Sequence, residues 1–253
     1  MIITTIQTDI IWENISENLK EYESKIEKIN SDIIILPEMF STGFTMEPQK
    51  VAEEMDGRTV NWMKENSKKI NSAICGSIII KENNNYYNRF IWINPDGTLY
   101  KYDKKHLFSF AGEDKNYTSG SSKIIIEYKG WKICPLICYD LRFPVWSRNT
   151  EDYDILIYVA NWPSKRKHAW KTLLTSRAIE NQCYVIGVNR VGFDVNGGFY
   201  SGETSVINAL GEKMYIKSHN EDVFTTTLDI NELIKIRKQL PFLSDRDNFQ
   251  IIS

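Results

Sequence analysis

The sequence has 253 residues, of which 42% are hydrophobic, 12% aromatic and 25% charged. This composition is typical of an ordinary globular protein and excludes a disordered, collagenous or membrane-embedded chain. The 31 Lys and Arg residues against 33 Asp and Glu give a formal net charge of −2, so the chain has no basic field to attract nucleic acid or an anionic membrane. We therefore expect neither nucleic acid nor a membrane as a partner.

The longest uncharged apolar runs, 133–139 and 155–163, are far shorter than the roughly 18 residues that a membrane-spanning helix needs. The first residues lack the basic region and cleavage site of a signal peptide, so we expect a cytoplasmic location. The four cysteines form no Cys-x-x-Cys pair, which favours reduced thiols over a disulfide framework. They are Cys75, Cys134, Cys138 and Cys183.

Strand and helix patterns alternate over the first third of the chain. Residues 2–7 predict a strand, and apolar residues at steps of four and three over 15–29 predict one face of an amphipathic helix. A run that is apolar on both faces follows at 33–36, as expected for a strand in a sheet that helices cover on both sides. A helix over 62–69 and a buried strand at 73–80 complete a β-α-β-α-β order.

Tight turns replace the helices over residues 86–139, as in the Asn-Pro-Asp-Gly turn at 94–97. Helical spacing returns after Phe143 and over 166–182. The other strand patterns lie at 124–128, 131–138, 155–160, 184–189, 205–208, 213–217 and 223–228. This order predicts the α/β class, with two mixed sheets packed face to face and helices outside both, in a four-layer α/β/β/α sandwich. No repeat or linker interrupts it, so we expect one domain over residues 1–253.

Two residues lie where a polar side chain needs an explanation. Glu38 follows the strand at 33–36, and the carboxyl ends of such strands are where α/β sheets bind ligands, although a capping or surface acid is an equal alternative. Cys138 lies between a strand and a helical segment. Amide groups at the start of that helix would lower the pKa of the thiol and could hold an oxyanion. The alternative is a buried small apolar residue, which we expect for the other three cysteines.

Lys104 and Lys105 lie where a hairpin strand gives way to a loop, and a solvated surface alone explains both. Only the combination with Glu38 and Cys138 gives them functional weight. A papain-like Cys-His pair would have to use His106 or His168 and is a minor alternative. The sequence contains no zinc-binding spacing and no P-loop, so we expect neither a metal nor a nucleotide cofactor.

Three motifs in the chain resemble those of the nitrilase superfamily of carbon-nitrogen hydrolases. They are Leu-Pro-Glu-Met-Phe-Ser-Thr-Gly-Phe at 36–44, Tyr-Asp-Lys-Lys-His-Leu-Phe at 102–108 and Leu-Ile-Cys-Tyr-Asp-Leu-Arg-Phe-Pro at 136–144. Further segments resemble the omega-amidase branch, which acts on 2-oxoglutaramate and 2-oxosuccinamate. These segments are 160–163, 177–182, 187–192 and 240–243.

The resemblance implies a Glu-Lys-Cys triad that works through a cysteine thioester. Glu38 corresponds to the general base, Lys104 to the oxyanion stabiliser and Cys138 to the nucleophile, while Lys105 has no role. Glu113 corresponds to a second glutamate that positions the lysine and the substrate, although the adjacent Asp114 weakens this assignment. The implied activity is the hydrolysis of a terminal amide to the 2-oxo acid and ammonia, without a cofactor.

The remaining site residues follow from this mechanism. The backbone N–H of Tyr139 is expected to share the oxyanion with the lysine. A 2-oxo acid carboxylate needs a cationic partner, and our candidates are Arg142, Arg166 and the segment around Trp162, because an arginine fork fits a carboxylate. The family also implies a homodimer.

Other functions remain open at this point. Another amidase or an N-carbamoyl hydrolase would use the same triad, and a non-catalytic descendant would bind a partner through the same fold. A redox-sensing thiol protein would need a disulfide between Cys134 and Cys138, which about 13 Å of strand keeps apart.

Overall fold

Two mixed β-sheets form the centre of the structure, a computed structural model that describes residues 1–251. The strands are β1 Ile2–Gln7, β2 Ile33–Ile35, β3 Ala73–Glu82, β4 Asn85–Ile93, β5 Leu99–Asp103, β6 Ile126–Tyr128, β7 Trp131–Ile137, β8 Ile155–Ala160, β9 Tyr184–Asn189, β10 Val191–Phe193, β11 Phe199–Ile207, β12 Lys213–Ser218 and β13 Asp222–Thr227. The first sheet has the order β13-β1-β2-β3-β4-β5. The second has the order β10-β11-β9-β8-β7-β6, with β12 paired to β11.

The longer helices lie on the outer faces of both sheets, and the four-residue helices lie in connecting segments. They are α1 Ile15–Ile26, α2 Pro48–Val51, α3 Arg58–Ile70, α4 Glu113–Asn116, α5 Pro144–Ser147, α6 Lys167–Asn181 and α7 Ile230–Gln239. None of the helices within residues 1–251 combines the length and the apolar character that a membrane crossing requires.

The side chains of β2 alternate between the two faces of the first sheet, and both faces are covered. Ile33 and Ile35 belong to the apolar core between the two sheets, whereas Ile34 packs with α1 and α3 on the outer side. Successive strand residues point to opposite faces, so a strand covered on both sides must be apolar throughout. The predicted four-layer sandwich is confirmed.

Helix α6 packs closely against the second sheet. A Cβ atom on Gly187 of β9 would lie 2.5 Å from Leu174 Cδ1 and 2.8 Å from Trp170 Cζ2, both on α6. Only glycine lets the helix approach this closely. The strand β8 lies between β7 and β9 in parallel register, so the carboxyl ends of all three open toward the same edge.

The boundaries of some elements differ from the prediction. Helix α1 ends at Ile26, so Ile29 lies beyond it, and the helix after Phe143 is a single turn, α5. Helix α7 was not predicted, although Ile230, Leu233 and Ile234 recur at helical spacing; only Leu233 and Ile236 of its ten residues are buried.

Candidate active site

Glu38 lies at the carboxyl end of β2 and is completely buried. One carboxylate oxygen, Oε1, accepts hydrogen bonds from Asn88 Nδ2 and Lys104 Nζ, both at 2.8 Å. The other, Oε2, accepts from the backbone N–H of Asn161 at 2.7 Å. A buried carboxylate is costly unless it is paired and hydrogen-bonded, and this one is both. The capping and surface interpretations of Glu38 are therefore wrong.

Lys104 directly follows β5 and is also buried. Its ammonium lies 2.8 Å from Glu38 Oε1 and 3.0 Å from each carboxylate oxygen of Glu113. Burial opposes the charged form, but the negative charges of Glu113 and Glu38 raise the pKa of Lys104 above its ordinary value, so the group stays cationic. Lys105, the neighbouring residue, points elsewhere and lies 5.7 Å from the ring centre of Trp146.

Glu113 begins the short helix α4 and is buried, whereas the adjacent Asp114 is exposed. Besides Lys104, Glu113 accepts the backbone N–H of Phe108 at 2.6 Å and one amide N–H of Asn88 at 3.1 Å. Burial raises the pKa of Glu113, and the Lys104 ammonium counteracts this effect. The structure therefore brings Glu113, and not Asp114, into contact with Lys104.

Cys138 lies where β7 gives way to a 3₁₀ helix, Cys138–Arg142. Its backbone has φ +43°, a left-handed conformation that is unusual for a residue with a side chain and is found at functional turns. Cys138 retains 9% of its surface exposed, while the other three cysteines are completely buried. All four thiols are free.

The pKa of the Cys138 thiol differs from the prediction. Burial raises the pKa of the Cys138 thiol well above its ordinary value, the Glu38 carboxylate raises it further, and the Lys104 ammonium lowers it. The prediction of a lowered pKa for this thiol is therefore wrong. Because the thiol keeps its proton at neutral pH, attack requires a base beside it, and Glu38 is the carboxylate whose charge acts most strongly on the thiol.

Tyr139 is the second residue of the 3₁₀ helix that starts at Cys138. The first N–H groups of a helix have no carbonyl partner inside it and are available to an anion. The aromatic ring of Tyr139 packs at 5.0 Å from the ring of Phe108 and 5.2 Å from that of Phe143. These two contacts fix the side chain of the residue that directly follows the thiol.

A cavity of about 290 Å³ opens onto Cys138. The three predicted substrate-binding residues, Arg142, Trp162 and Arg166, all line it. The other lining residues are Phe44, Met46, Phe108, Phe110, Ala111, Tyr139, Asn161, Pro163, Asp194, Asn196 and Tyr200.

Both arginines in the cavity stack on aromatic rings. The Arg142 guanidinium lies 4.9 Å from the ring centre of Trp162, and that of Arg166 lies 5.0 Å from Phe108. Within residues 1–251, neither Arg142 nor Arg166 forms a salt bridge with a carboxylate. Asp194, the carboxylate that also lines the cavity, accepts instead from two backbone N–H groups and the Tyr200 hydroxyl. Such a cavity favours a small anionic ligand.

Two asparagines that contact Glu38 received no role from the sequence. Asn161 donates from Nδ2 to the Glu38 carbonyl at 2.6 Å, in addition to its backbone contact. Asn88 lies on β4, and its amide is oriented by the Ser77 hydroxyl, which donates to Asn88 Oδ1 at 2.8 Å. Asn161 lies in the segment 160–163, which resembles the omega-amidase branch, whereas Asn88 lies in none of the motifs that the sequence shows.

The histidines are not arranged for a papain-like pair. The Nδ1 atom of His106 lies 2.8 Å from Asp140 Oδ1, its ring stacks on Phe143, and His168 is exposed on α6. Within residues 1–251, no three His, Cys, Asp or Glu side chains are grouped so that they could hold a metal ion.

Comparison with known proteins identifies the class to which this fold and site belong. The family model of the carbon-nitrogen hydrolases matches residues 2–238, and the chain belongs to this family. It is accordingly a hydrolase that acts on amide C–N bonds.

Individual relatives cover nearly the whole chain. Omega-amidase YafV of Escherichia coli (strain K12) is 43% identical over 98% of both chains. The 2-oxoglutaramate amidase of Bacillus subtilis (strain 168) is 33% identical over 96% of both. A crystal structure of a CN-hydrolase superfamily protein from Xanthomonas campestris, with an arsenic adduct in its active site, superimposes with a TM-score of 0.98 at 41% identity. That match covers 99% of this chain and 98% of the other.

Proposed function

We propose that this protein is an omega-amidase, which hydrolyses the terminal amide of 2-oxoglutaramate and 2-oxosuccinamate to the 2-oxo acid and ammonia. The observation that carries the proposal is the cavity itself, which has the Cys138 thiol together with two guanidinium groups, Arg142 and Arg166, neither of which forms a salt bridge. An amide with a carboxylate at its far end matches both features. The names of two relatives, an omega-amidase and a 2-oxoglutaramate amidase, support the same substrate class.

Acylation starts with proton transfer. Glu38 takes the thiol proton of Cys138 while the sulfur attacks the amide carbon, and the carbonyl electron pair moves onto oxygen. The Lys104 ammonium and the Tyr139 N–H stabilise this oxyanion. When the oxyanion collapses, the C–N bond breaks and Glu38 returns its proton to the nitrogen, so that ammonia leaves and a thioester remains.

Deacylation repeats these steps with water. Glu38 removes a proton from water, and the resulting hydroxide adds to the thioester carbon. The C–S bond then breaks, and the proton held by Glu38 returns to the sulfur of Cys138. Glu113 positions Lys104 in both half-reactions through its two contacts of 3.0 Å.

Substrate orientation follows from the arginines. Arg142 lies in the same 3₁₀ helix as Cys138, so it sets the distance between the carboxylate and the reacting carbon. Trp162 holds the Arg142 guanidinium in place by stacking at 4.9 Å. Arg166, at the end of a separate 3₁₀ helix, Ser164–Arg166, supplies a second positive charge to the cavity.

The proposal extends to the state of the protein in the cell. We place it in the cytoplasm as a homodimer, with one domain over residues 1–253. The free cysteines support a reducing compartment. Three of the large apolar residues exposed by more than half, Ile179, Ile234 and Phe242, lie on α6, on α7 and after α7, and support a subunit interface that includes these elements. The pairing of β13 with β1 supports a single domain, because it joins the two ends of the chain.

The test is ammonia release from 2-oxoglutaramate, 2-oxosuccinamate, glutamine, a simple aliphatic amide and an N-carbamoyl amino acid. We expect strong turnover of the two 2-oxo amides, lost in Cys138→Ala and retained in the control Cys183→Ala, which removes a thiol buried away from the cavity. Turnover of the aliphatic amide alone would contradict the substrate class. Turnover of the carbamoyl compound alone would favour an N-carbamoyl hydrolase, and no turnover would favour a binding protein.

A further inference from the structure

Asp140 is a completely buried carboxylate to which four donors converge. Its Oδ2 atom accepts from the Tyr102 hydroxyl at 2.8 Å and from the Ile137 N–H at 3.0 Å. Its Oδ1 atom accepts from the backbone N–H of His106 at 2.9 Å and lies 2.8 Å from His106 Nδ1. Because a carboxylate only accepts, the Nδ1 atom of His106 carries the proton.

These four contacts join the two segments that carry the reacting groups. Tyr102 and His106 lie two residues before and two residues after Lys104, while Ile137 directly precedes Cys138 and Asp140 follows it by two. The single carboxylate of Asp140 therefore connects the backbone on both sides of the lysine with the backbone on both sides of the cysteine.

The partners of Asp140 are themselves fixed. The His106 ring stacks on Phe143 with centroids 3.7 Å apart and an interplanar angle of 5°. The Tyr102 hydroxyl accepts from Trp146 Nε1 at 3.0 Å. Since the left-handed backbone of Cys138 is unfavourable in isolation, the surrounding contacts must impose it.

We propose that Asp140 is a positioning residue that sets the Lys104 ammonium against the Cys138 sulfur, in an inference that rests on the amidase function proposed above. It touches neither substrate nor reacting atoms. Its effect arises because the lysine must meet the oxyanion that forms when the sulfur attacks, and a displacement of about 1 Å can cost about 100-fold in rate. The role requires four acceptor sites, which a carboxylate supplies and an amide does not.

The test compares Asp140→Asn with Asp154→Asn. Asp154 is a matched control, because it is also a buried carboxylate that accepts from a backbone N–H, that of Lys132, and from a side chain, Arg237, but it bonds to neither the segment around Lys104 nor the turn at Cys138. For each variant, kcat and KM on 2-oxoglutaramate, the melting temperature, and the rate of Cys138 alkylation by iodoacetamide are measured. Alkylation needs no amide substrate and is read by mass spectrometry.

We expect both variants to lower the melting temperature, but only Asp140→Asn to lower kcat, by about 10-fold to 100-fold with KM within about 3-fold. We also expect slower alkylation in Asp140→Asn alone, because the Lys104 ammonium that lowers the pKa of the thiol is displaced. Equal kcat values and equal alkylation rates in the two variants would overturn the proposal. An inactive wild type whose alkylation still slows in Asp140→Asn would overturn the amidase function and retain the positioning role.

A milder variant covers the case in which Asp140→Asn does not fold. Tyr102→Phe removes one of the four donors and keeps the ring in the core. We expect kcat to fall by about 3-fold to 10-fold with an unchanged KM. An unchanged kcat in Tyr102→Phe would then overturn the proposal.

Discussion

The ammonium of Lys104 lies 3.0 Å from both carboxylate oxygens of Glu113, so the glutamate holds the lysine in a two-pronged contact. Glu38 binds the same ammonium through one oxygen at 2.8 Å. Two carboxylates thus share one cation in a completely buried cluster, and Asn88 donates to both of them. Because Glu113 binds Lys104 through two oxygens and Glu38 through only one, Glu113 is suited to keep the lysine in place and Glu38 to exchange protons.

The first prediction concerns Glu113→Gln. The amide retains one oxygen for Lys104 but loses the two-pronged contact, so the ammonium is no longer aligned with the oxyanion. We expect kcat to fall by about 100-fold, as for a comparable misplacement of a catalytic group. The control is Asp114→Asn at the next, exposed position, which should leave kcat unchanged. Steady-state kinetics on 2-oxoglutaramate measure both, and similar losses in the two variants would contradict the assignment.

The second prediction concerns Asn88→Asp, which changes little in shape but places a third carboxylate beside Glu38 and Glu113. Burial and two negative neighbours raise the pKa of such a group above its unfolded value. Stability is then retained at low pH and lost as the pH rises through the folded-state pKa. We expect a destabilisation of about 3 kcal/mol at pH 8 and a smaller one at pH 5, with turnover abolished.

Urea unfolding at the two pH values measures this effect, with Asn85→Asp as the control. Asn85 is exposed at the start of the same strand, β4, and its replacement should change the free energy of unfolding by less than about 0.5 kcal/mol at either pH. A destabilisation of Asn88→Asp that is equal at pH 5 and pH 8 would argue against an ionised cluster.

The sequence predicts those parts of the fold that local pattern determines. Strands β1, β8 and β9 lie at the predicted residues, because each is a short apolar run that ends in turn residues or polar residues. Helix α7 was missed although Ile230, Leu233 and Ile234 recur at helical spacing. Its stripe extends over only ten residues, of which Leu233 and Ile236 alone are buried, so the pattern is short beside those of α1 and α3.

In the site, too, the sequence predicts the residues that lie in local motifs and misses those that depend on long-range contacts. Glu38, Lys104 and Cys138 are recognisable because each lies in a motif at the end of a strand. Asn88 contacts Glu38 across 50 positions of the chain, and Asp140 bonds to Tyr102 and His106, which flank Lys104, across 38 and 34 positions. The resting pKa of Cys138 was mispredicted for a similar reason, because burial and the charge of Glu38 are properties of the folded chain.

The third prediction concerns the two arginines in the cavity. Arg142→Met and Arg166→Met each remove a charge that would pair with the substrate carboxylate, and a hydrogen bond to a charged group contributes about 1.5 to 3 kcal/mol. We expect KM for 2-oxoglutaramate to rise by about 10-fold to 100-fold in each variant. Turnover of a neutral aliphatic amide should change much less. The control Lys165→Met removes an exposed charge next to Arg166 and should leave KM unchanged.

These variants also decide between the two arginines. A rise in KM confined to Arg142→Met would assign the carboxylate to the arginine in the cysteine turn and leave Arg166 as a general electrostatic contributor. Unchanged KM values in both variants would remove the arginines from substrate binding.

The fourth prediction separates the charge of Glu38 from its action as a base. The Glu38 carboxylate raises the pKa of the Cys138 thiol and the Lys104 ammonium lowers it. In Glu38→Gln the negative charge is lost, so the pKa of the thiol should fall and more thiolate should exist at neutral pH. In Lys104→Met the positive charge is lost, so the pKa should rise. Both variants should nevertheless lose turnover, since the first lacks the base and the second lacks the oxyanion donor.

The thiolate is measured by its ultraviolet absorbance as a function of pH, with the titration of Cys138→Ala subtracted to remove the tyrosines and the other thiols. Opposite displacements of the titration curve in Glu38→Gln and Lys104→Met are the expected result. If Glu38→Gln instead moved the curve to higher pH, the carboxylate would be stabilising a resting thiolate through the charge network, and proton transfer from Cys138 to Glu38 could not begin the reaction.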